Sequence, residues 1–231
     1  MPENTTPTVA IVDYGMGNLF SVKHACEHAG LVATITSSPH EILSADAVIL
    51  PGVGAFGDAM DSLAGLDLIA TLKEFAASSK PLVGICLGLQ LLMTESYEFG
   101  RHVGLGLLPG SVVRFEDPRG ADGTLLKVPQ VCWNQVYRSG PDDNDPWAGT
   151  LLEGVPDGVY MYFVHSYYVR TTDASTCIGK TSYGDIEFCS ALAHRNIFAL
   201  QCHPERSGSY GLQVYRNLAS RIRADRTEAT A

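Results

Sequence analysis

The sequence predicts an α/β fold, with a mostly parallel central sheet and helices on both faces. Two observations lead there. In the N-terminal part, short β-branched runs alternate with amphipathic stretches, the pattern of βαβ units. The run Leu82-Val83-Gly84-Ile85-Cys86-Leu87 is apolar throughout, as a strand buried on both faces reads.

Taken in order, strands are expected at Val9–Val12, Val32–Ile35, Ala47–Leu50 and Leu82–Ile85. Helices are expected around Leu19–Ala29, Gly57–Leu63, Leu68–Ala77 and Leu89–Thr94. The C-terminal half reads as strands at Ser111–Phe115, Lys127–Val131, Val159–Val169, Thr176–Thr181, Glu187–Ala193 and Ile197–Gln201, with turn residues between them. Few helices separate these strands, so antiparallel pairing should join the sheet here. Arg138–Trp147 is a loop by composition. A last helix should run from Tyr210 to Ala224, with Leu212, Tyr215, Leu218 and Ile222 at helical spacing, before a polar tail, Asp225–Ala231, expected to fray.

Nothing in the 231 residues reads as an interdomain linker or repeat, so a single domain over 1–231 is expected. Acidic residues outnumber basic ones 25 to 16, for a net charge of −9. That balance leaves no basic footprint for nucleic acid and no cationic surface for a membrane. No apolar run is long enough to span a bilayer, and MPENTTPTVAIVDYG lacks the basic-then-apolar order of a secretory leader. Cys26, Cys86, Cys132, Cys177, Cys189 and Cys202 form no C-x-x-C pair. Reduced thiols and a cytoplasmic location are expected, with Cys26, Cys132, Cys177, Cys189 and Cys202 as small buried apolar residues.

The sharpest chemical signal is Gly84-Ile85-Cys86-Leu87-Gly88, a G-x-C-x-G between an expected strand and helix. Two glycines let the chain turn sharply and lift the middle side chain out of the fold, the geometry of a nucleophile elbow. The unpaired N–H groups at the helix start favour a thiolate there, and the N–H of Leu87 points where an oxyanion would form. A thiol nucleophile needs a base. His203 is the best placed of the histidines, because it ends the apolar strand Ile197–Cys202 and so lies at a carboxyl end, as Cys86 does. Glu205, across a stiffening proline, is placed to hold the second imidazole nitrogen. No second His or Cys stands at ligand spacing beside these residues, so no metal site is expected. The segment Pro51-Gly52-Val53-Gly54-Ala55-Phe56 follows a strand, and its glycines allow unusual backbone angles and close approach to a ligand. It offers a second oxyanion donor, and it lacks the lysine of a phosphate-binding loop.

Six segments, DYGMGNLFSV (13–22), PGVGAFGDAM (51–60), GICLGLQLL (84–92), KVPQVCWNQV (127–136), YFVHSYY (162–168) and QCHPERSG (201–208), together resemble the class I, or triad, glutamine amidotransferases. More narrowly they are similar to the glutaminase subunits of imidazole glycerol phosphate synthase, over nearly the whole chain. The resemblance implies a flavodoxin-like three-layer fold and hydrolysis of L-glutamine with no cofactor. It implies Cys86 as nucleophile, His203 as proton carrier and Glu205 as the residue orienting it. The N–H groups of Val53 and Leu87 would form the oxyanion hole. Gly52, Gly54, Gln90, Ser166 and Tyr167 would hold the substrate. Asn18, Trp133, Tyr162 and Arg206 would meet a partner, a (β/α)₈-barrel cyclase of histidine biosynthesis that receives the ammonia within a heterodimer.

Asn18 is equally placed to cap the helix starting near Leu19. The family usually has His and Gly where this chain has Gln130 and Cys132, and an aromatic residue where it has Cys202. These departures leave room for a paralogue feeding ammonia to another barrel synthase, for instance in sugar amination. The elbow by itself also fits another thiol hydrolase on the same scaffold, or a binding subunit that kept the fold.

Overall fold

In the computed structural model, which describes residues 6–140 and 145–228, the N-terminal alternation folds as a run of βα units. β1 (Thr8–Val12), α1 (Leu19–His28), β2 (Val32–Thr36), α2 (Pro39–Ser44), β3 (Ala47–Gly52), α3 (Phe56–Gly65), α4 (Leu68–Ala76), β4 (Leu82–Cys86) and α5 (Leu87–Leu91) come first. Then follow β5 (Met93–Ser96), β6 (His102–Val103), β7 (Leu108–Arg114), β8 (Gln130–Arg138), β9 (Val159–His165), β10 (Tyr167–Thr171), β11 (Cys177–Tyr183), β12 (Ile186–His194), β13 (Ile197–Leu200) and α6 (Gly208–Glu228).

The strands run in the order β2-β1-β3-β4-β13-β12-β10-β7-β5-β6. From β2 to β13 every neighbour is parallel. Beyond β13 the sheet turns antiparallel through β12, β10 and β7, and β11, β8 and β9 extend it as an antiparallel group. Alternation along β1 shows how the core divides. Val9 and Ile11 face a layer with Val22, Cys26, Val214, Tyr215 and Leu218 of α1 and α6. Ala10 and Val12 face Ile42, Phe56, Leu63, Leu72 and Phe75 of α2, α3 and α4. Each fully buried aliphatic or aromatic side chain here contributes roughly 1.5–3 kcal/mol.

The departures from the sequence expectations have local causes. Rather than a helix over Leu89–Thr94, α5 ends at Leu91 and the chain passes into β5. The N–H groups of Leu105 and Leu107 take the carbonyls of Leu91 and Leu92, so the helix end is closed by a neighbouring segment. The strand expected at Lys127–Val131 starts only at Gln130, because Pro129 has no N–H for a ladder. The expected single strand Val159–Val169 is two, broken at Ser166, whose carbonyl is taken by Phe115 N–H; β9 then pairs with β8 and β10 with β7. α6 starts at Gly208 and continues to Glu228, so Asp225–Glu228 are helical rather than frayed. Arg221 pairs with Asp225 one turn away, and Arg226 ties this end to Asp46 at 2.6 Å. Residues 229–231 of that tail, and 141–144 of the Arg138–Trp147 loop, lie outside the described residues. Cys132 is only partly buried, although it lies on the same face of β8 as the buried Gln130 and Val136. Asn18 occupies the N-cap position of α1 without a side-chain capping bond.

Candidate active site

The parallel register sets the site. β3 and β4 pair so that Gly52 lies opposite Cys86, and β4 and β13 pair so that Ile85 lies opposite Leu200. Three strands therefore end side by side, carrying the Val53 loop, Cys86 and, three residues beyond Leu200, His203. That edge is the carboxyl edge, where open parallel sheets bind ligands.

Cys86 ends β4 and starts α5 with φ 55° and ψ −107°. A side-chain-bearing residue is strained there, by about 1–3 kcal/mol. The surroundings hold it in place. A Cβ on Gly88 would lie 1.7 Å from Leu50 O, and one on Gly84 would lie 2.9 Å from Leu89 N. Both glycines of the elbow are thus needed for backbone approach. Gly52 is packed likewise, with Tyr14 Oη 2.2 Å and Leu87 Cβ 2.9 Å from where its Cβ would be. The Tyr14 hydroxyl donates to Pro51 O at 2.7 Å, which ties the Val53 loop to β1.

His203 and Glu205 sit on the turn after β13. Nδ1 of His203 lies 2.8 Å from Oε1 of Glu205, and their side chains are 5% and 1% exposed. Burial works against charging the imidazole, but hydrogen bonding and charge from Cys86, and then from Glu205, outweigh it and push its pKa up to about 10. Cys86 Sγ receives the Gln201 side-chain amide at 3.7 Å and lies 3.9 Å from Val164 O.

Val53, Gly54, Cys86, Leu87, Gln90, Ser166 and Tyr167 line one cavity of about 260 Å³. Gln90 Nε2 donates to Tyr167 O at 2.9 Å and to Gln201 Oε1 at 3.2 Å, which fixes the strand break at Ser166 against α5. Gly52, His203 and Glu205 are not among the residues that line it.

Three residues of the site went unread in the sequence. Gln201 is a polar residue ending an apolar strand beside His203, a signal that could have been taken. His165, in the segment YFVHSYY, lines the cavity and is fully buried; burial holds its pKa down to about 4, so it is a neutral ring, with Nδ1 2.8 Å from Tyr167 O. Glu98 reaches the cavity from the segment after β5 and accepts Phe56 N–H at 2.6 Å, while burial raises its pKa. A lone glutamate in a polar stretch carries no motif.

Trp133, Tyr162 and Arg206 come together outside the site. The Trp133 and Tyr162 rings meet edge to face at 6.2 Å, and the Arg206 guanidinium lies 4.6 Å above Tyr162. Tyr162 O accepts His203 N–H at 2.9 Å, so this cluster is bonded to the backbone of the HPE turn. Asn18 is exposed on α1, which packs against the same turn.

The family model described as Glutamine amidotransferase class-I matches residues 10–219. Imidazole glycerol phosphate synthase subunit HisH of Sulfurimonas denitrificans is 46% identical over 209 residues, covering 90% of this chain and 96% of that protein. The HisH subunit of Moorella thermoacetica is 45% identical over 215 residues, covering 93% and 95%. That of Rhodopirellula baltica is 46% identical, covering 92% and 97%. Among solved structures, PurLQS from Thermotoga maritima superposes with a TM-score of 0.66 at 18% identity, covering 94% of this chain and 99% of that one. A structure described as glutamine amidotransferase gives 0.66 at 18%, covering 91% and 98%. The chain belongs to the class I glutamine amidotransferases and, within them, to the HisH subunits of imidazole glycerol phosphate synthase.

Proposed function

We propose that the chain, working as one domain, hydrolyses L-glutamine at Cys86 and delivers the ammonia to a cyclase subunit that makes imidazole glycerol phosphate in histidine biosynthesis. The observation that supports this reading is the register: Gly52 pairs with Cys86 and Ile85 with Leu200, so the buried His203–Glu205 pair follows a strand that ends beside the one carrying the thiol.

The Cys86 thiolate attacks the side-chain carbonyl carbon of glutamine. The carbonyl π pair moves to oxygen, where the N–H groups of Val53 and Leu87 receive the charge; one such donor is worth roughly 10²–10³ in rate. The raised pKa of His203 suits an imidazolium that gives its Nε2 proton to the departing nitrogen, so ammonia leaves and a thioester remains. Water then gives a proton back to His203 and adds to the thioester, releasing glutamate and the thiolate. Glu205 holds Nδ1 throughout. Gln201 bonds the sulfur from its other side, and Gln90 fixes the backbone of Ser166 and Tyr167 against the substrate. Among the described residues Glu98 is the one carboxylate lining the cavity, and it is suited to the α-ammonium group of glutamine.

The partner would dock on the face carrying Asn18, Trp133, Tyr162 and Arg206, where Phe20 and Val131 are also exposed. Six free thiols support a reducing compartment, the cytoplasm. Gly52 and Gly54 flank Val53, so that peptide can turn its N–H towards or away from the oxyanion at modest strain. Docking would hold it turned in. The test is steady-state glutaminase activity of the chain alone, with the cyclase, and with the cyclase plus its substrate analogue. The reading expects activity to rise in that order. Equal kcat/KM in all three would contradict it.

A further inference from the structure

The triad acid is bonded on one side only. Glu205 Oε1 meets His203, but Oε2 is buried without a hydrogen-bond partner among the described residues. A buried carboxylate oxygen left bare is costly. The same is true of a second group nearby: the hydroxyl of Tyr215, a residue 2% exposed, is buried and also has no partner among the described residues.

The two belong to elements pressed together. Gly211 in α6 lies so close to the HPE turn that a Cβ on it would be 2.0 Å from Pro204 O and 2.8 Å from Ser207 Cβ. Tyr215 follows Gly211 by four residues and so shares its helix face, the face turned to Glu205. The turn is fixed from its other side too, where Ser207 Oγ donates to His203 O at 2.6 Å and accepts Tyr162 N–H at 3.0 Å.

We propose that Tyr215 is a positioning residue for the triad: its phenol O–H donates to Glu205 Oε2, so that α6 holds the carboxylate on the imidazole. This rests on the triad reading above. A donor and an acceptor, each buried without a partner among the described residues and near enough for the Glu205 charge to act on the phenol, can satisfy each other. The titratable groups facing this pair are His203 on the same turn, Cys202 at the end of β13, and Cys26 on α1. Burial first, and the Glu205 charge next, hold the phenol well above its ordinary pKa, so it keeps the proton it would donate. Cys26 and Cys202 are likewise held protonated by burial.

The sign of the effect follows. A hydrogen bond to a charged carboxylate favours the charged form. Removing the phenol hydroxyl loosens the carboxylate that holds the His203 imidazolium, so His203 should lose its proton at lower pH. The experiment compares glutamine hydrolysis, across pH, by the wild type, Tyr215→Phe, Glu205→Gln and the double variant, each as the full chain with its cyclase partner. Tyr215→Phe keeps the ring and should fold. It should lower kcat about tenfold, which is one step of about 1.36 kcal/mol, with KM unchanged. It should move the basic limb of kcat, where His203 loses its proton, down by about one unit and add nothing to the loss already caused by Glu205→Gln. Unchanged kcat and limb in Tyr215→Phe, with Glu205→Gln impaired, would overturn the inference and leave the triad standing. A loss that adds in full in the double variant would overturn it as well, since it would then act through packing. Full activity in Glu205→Gln would overturn the triad reading itself.

Discussion

His203 and Glu205 meet at 2.8 Å on the turn after β13, with both side chains almost closed off from solvent. The folded pKa of His203, about 10, lies above its unfolded value near 6.5. A group raised in this way stabilises the fold below its unfolded pKa and loses that contribution as pH rises through its folded one. The stability gap between wild type and His203→Asn should therefore shrink between about pH 6.5 and 10, by an amount on the order of a few kcal/mol. Denaturant midpoints of the two chains across that range are the check, and a constant gap would mean that no imidazolium is held.

The strain at Cys86 predicts an unusual stability order. Glycine accepts a positive φ of 55° that alanine does not. Cys86→Gly should be more stable than Cys86→Ala by about 1 kcal/mol, against the ordinary preference for alanine. Both should hydrolyse no glutamine while folding normally by circular dichroism.

Two glycine-to-alanine changes should part company. Gly88→Ala would drive a methyl group into the Leu50 carbonyl and should cost about 3 kcal/mol or more. Gly65→Ala, at the end of α3 with open space around it, should be neutral or stabilise by about 0.5–1 kcal/mol. Thermal unfolding of the pair separates close backbone approach from a general glycine effect.

Glu98→Gln keeps the acceptor for Phe56 N–H but removes the negative charge from the cavity. If that charge receives the substrate ammonium, KM for glutamine should rise about tenfold with kcat much less affected. An unchanged KM would remove Glu98 from the substrate site.

The parallel half was legible because β1, β3 and β4 are buried on both faces and α1, α3 and α4 on one, so burial writes the pattern directly into these elements. The placement of Cys86 and His203 was legible for a related reason: an elbow and a polar turn follow strands that end side by side. What escaped depends on tertiary partners. α5 ends where Leu105 and Leu107 close its carbonyls, and nothing in Leu89–Thr94 itself announces that. Ser166 breaks a strand because one side pairs with β8 and the other with β7. Glu98 matters only through the turn that carries it to the cavity. The α6 tail is held by pairs such as Arg226 with Asp46, 180 residues apart, which no local composition reveals.

The central claim, that Cys86 is a glutamine-directed nucleophile, is most directly tested by treating the full chain with a thiol-reactive glutamine analogue and locating the adduct by peptide mass. Five other cysteines compete as internal controls, among them the partly exposed Cys132. The account predicts a single adduct on Cys86, slowed by glutamine and lost in His203→Ala. Labelling spread over Cys132 and others, or labelling of Cys86 indifferent to glutamine, would contradict it.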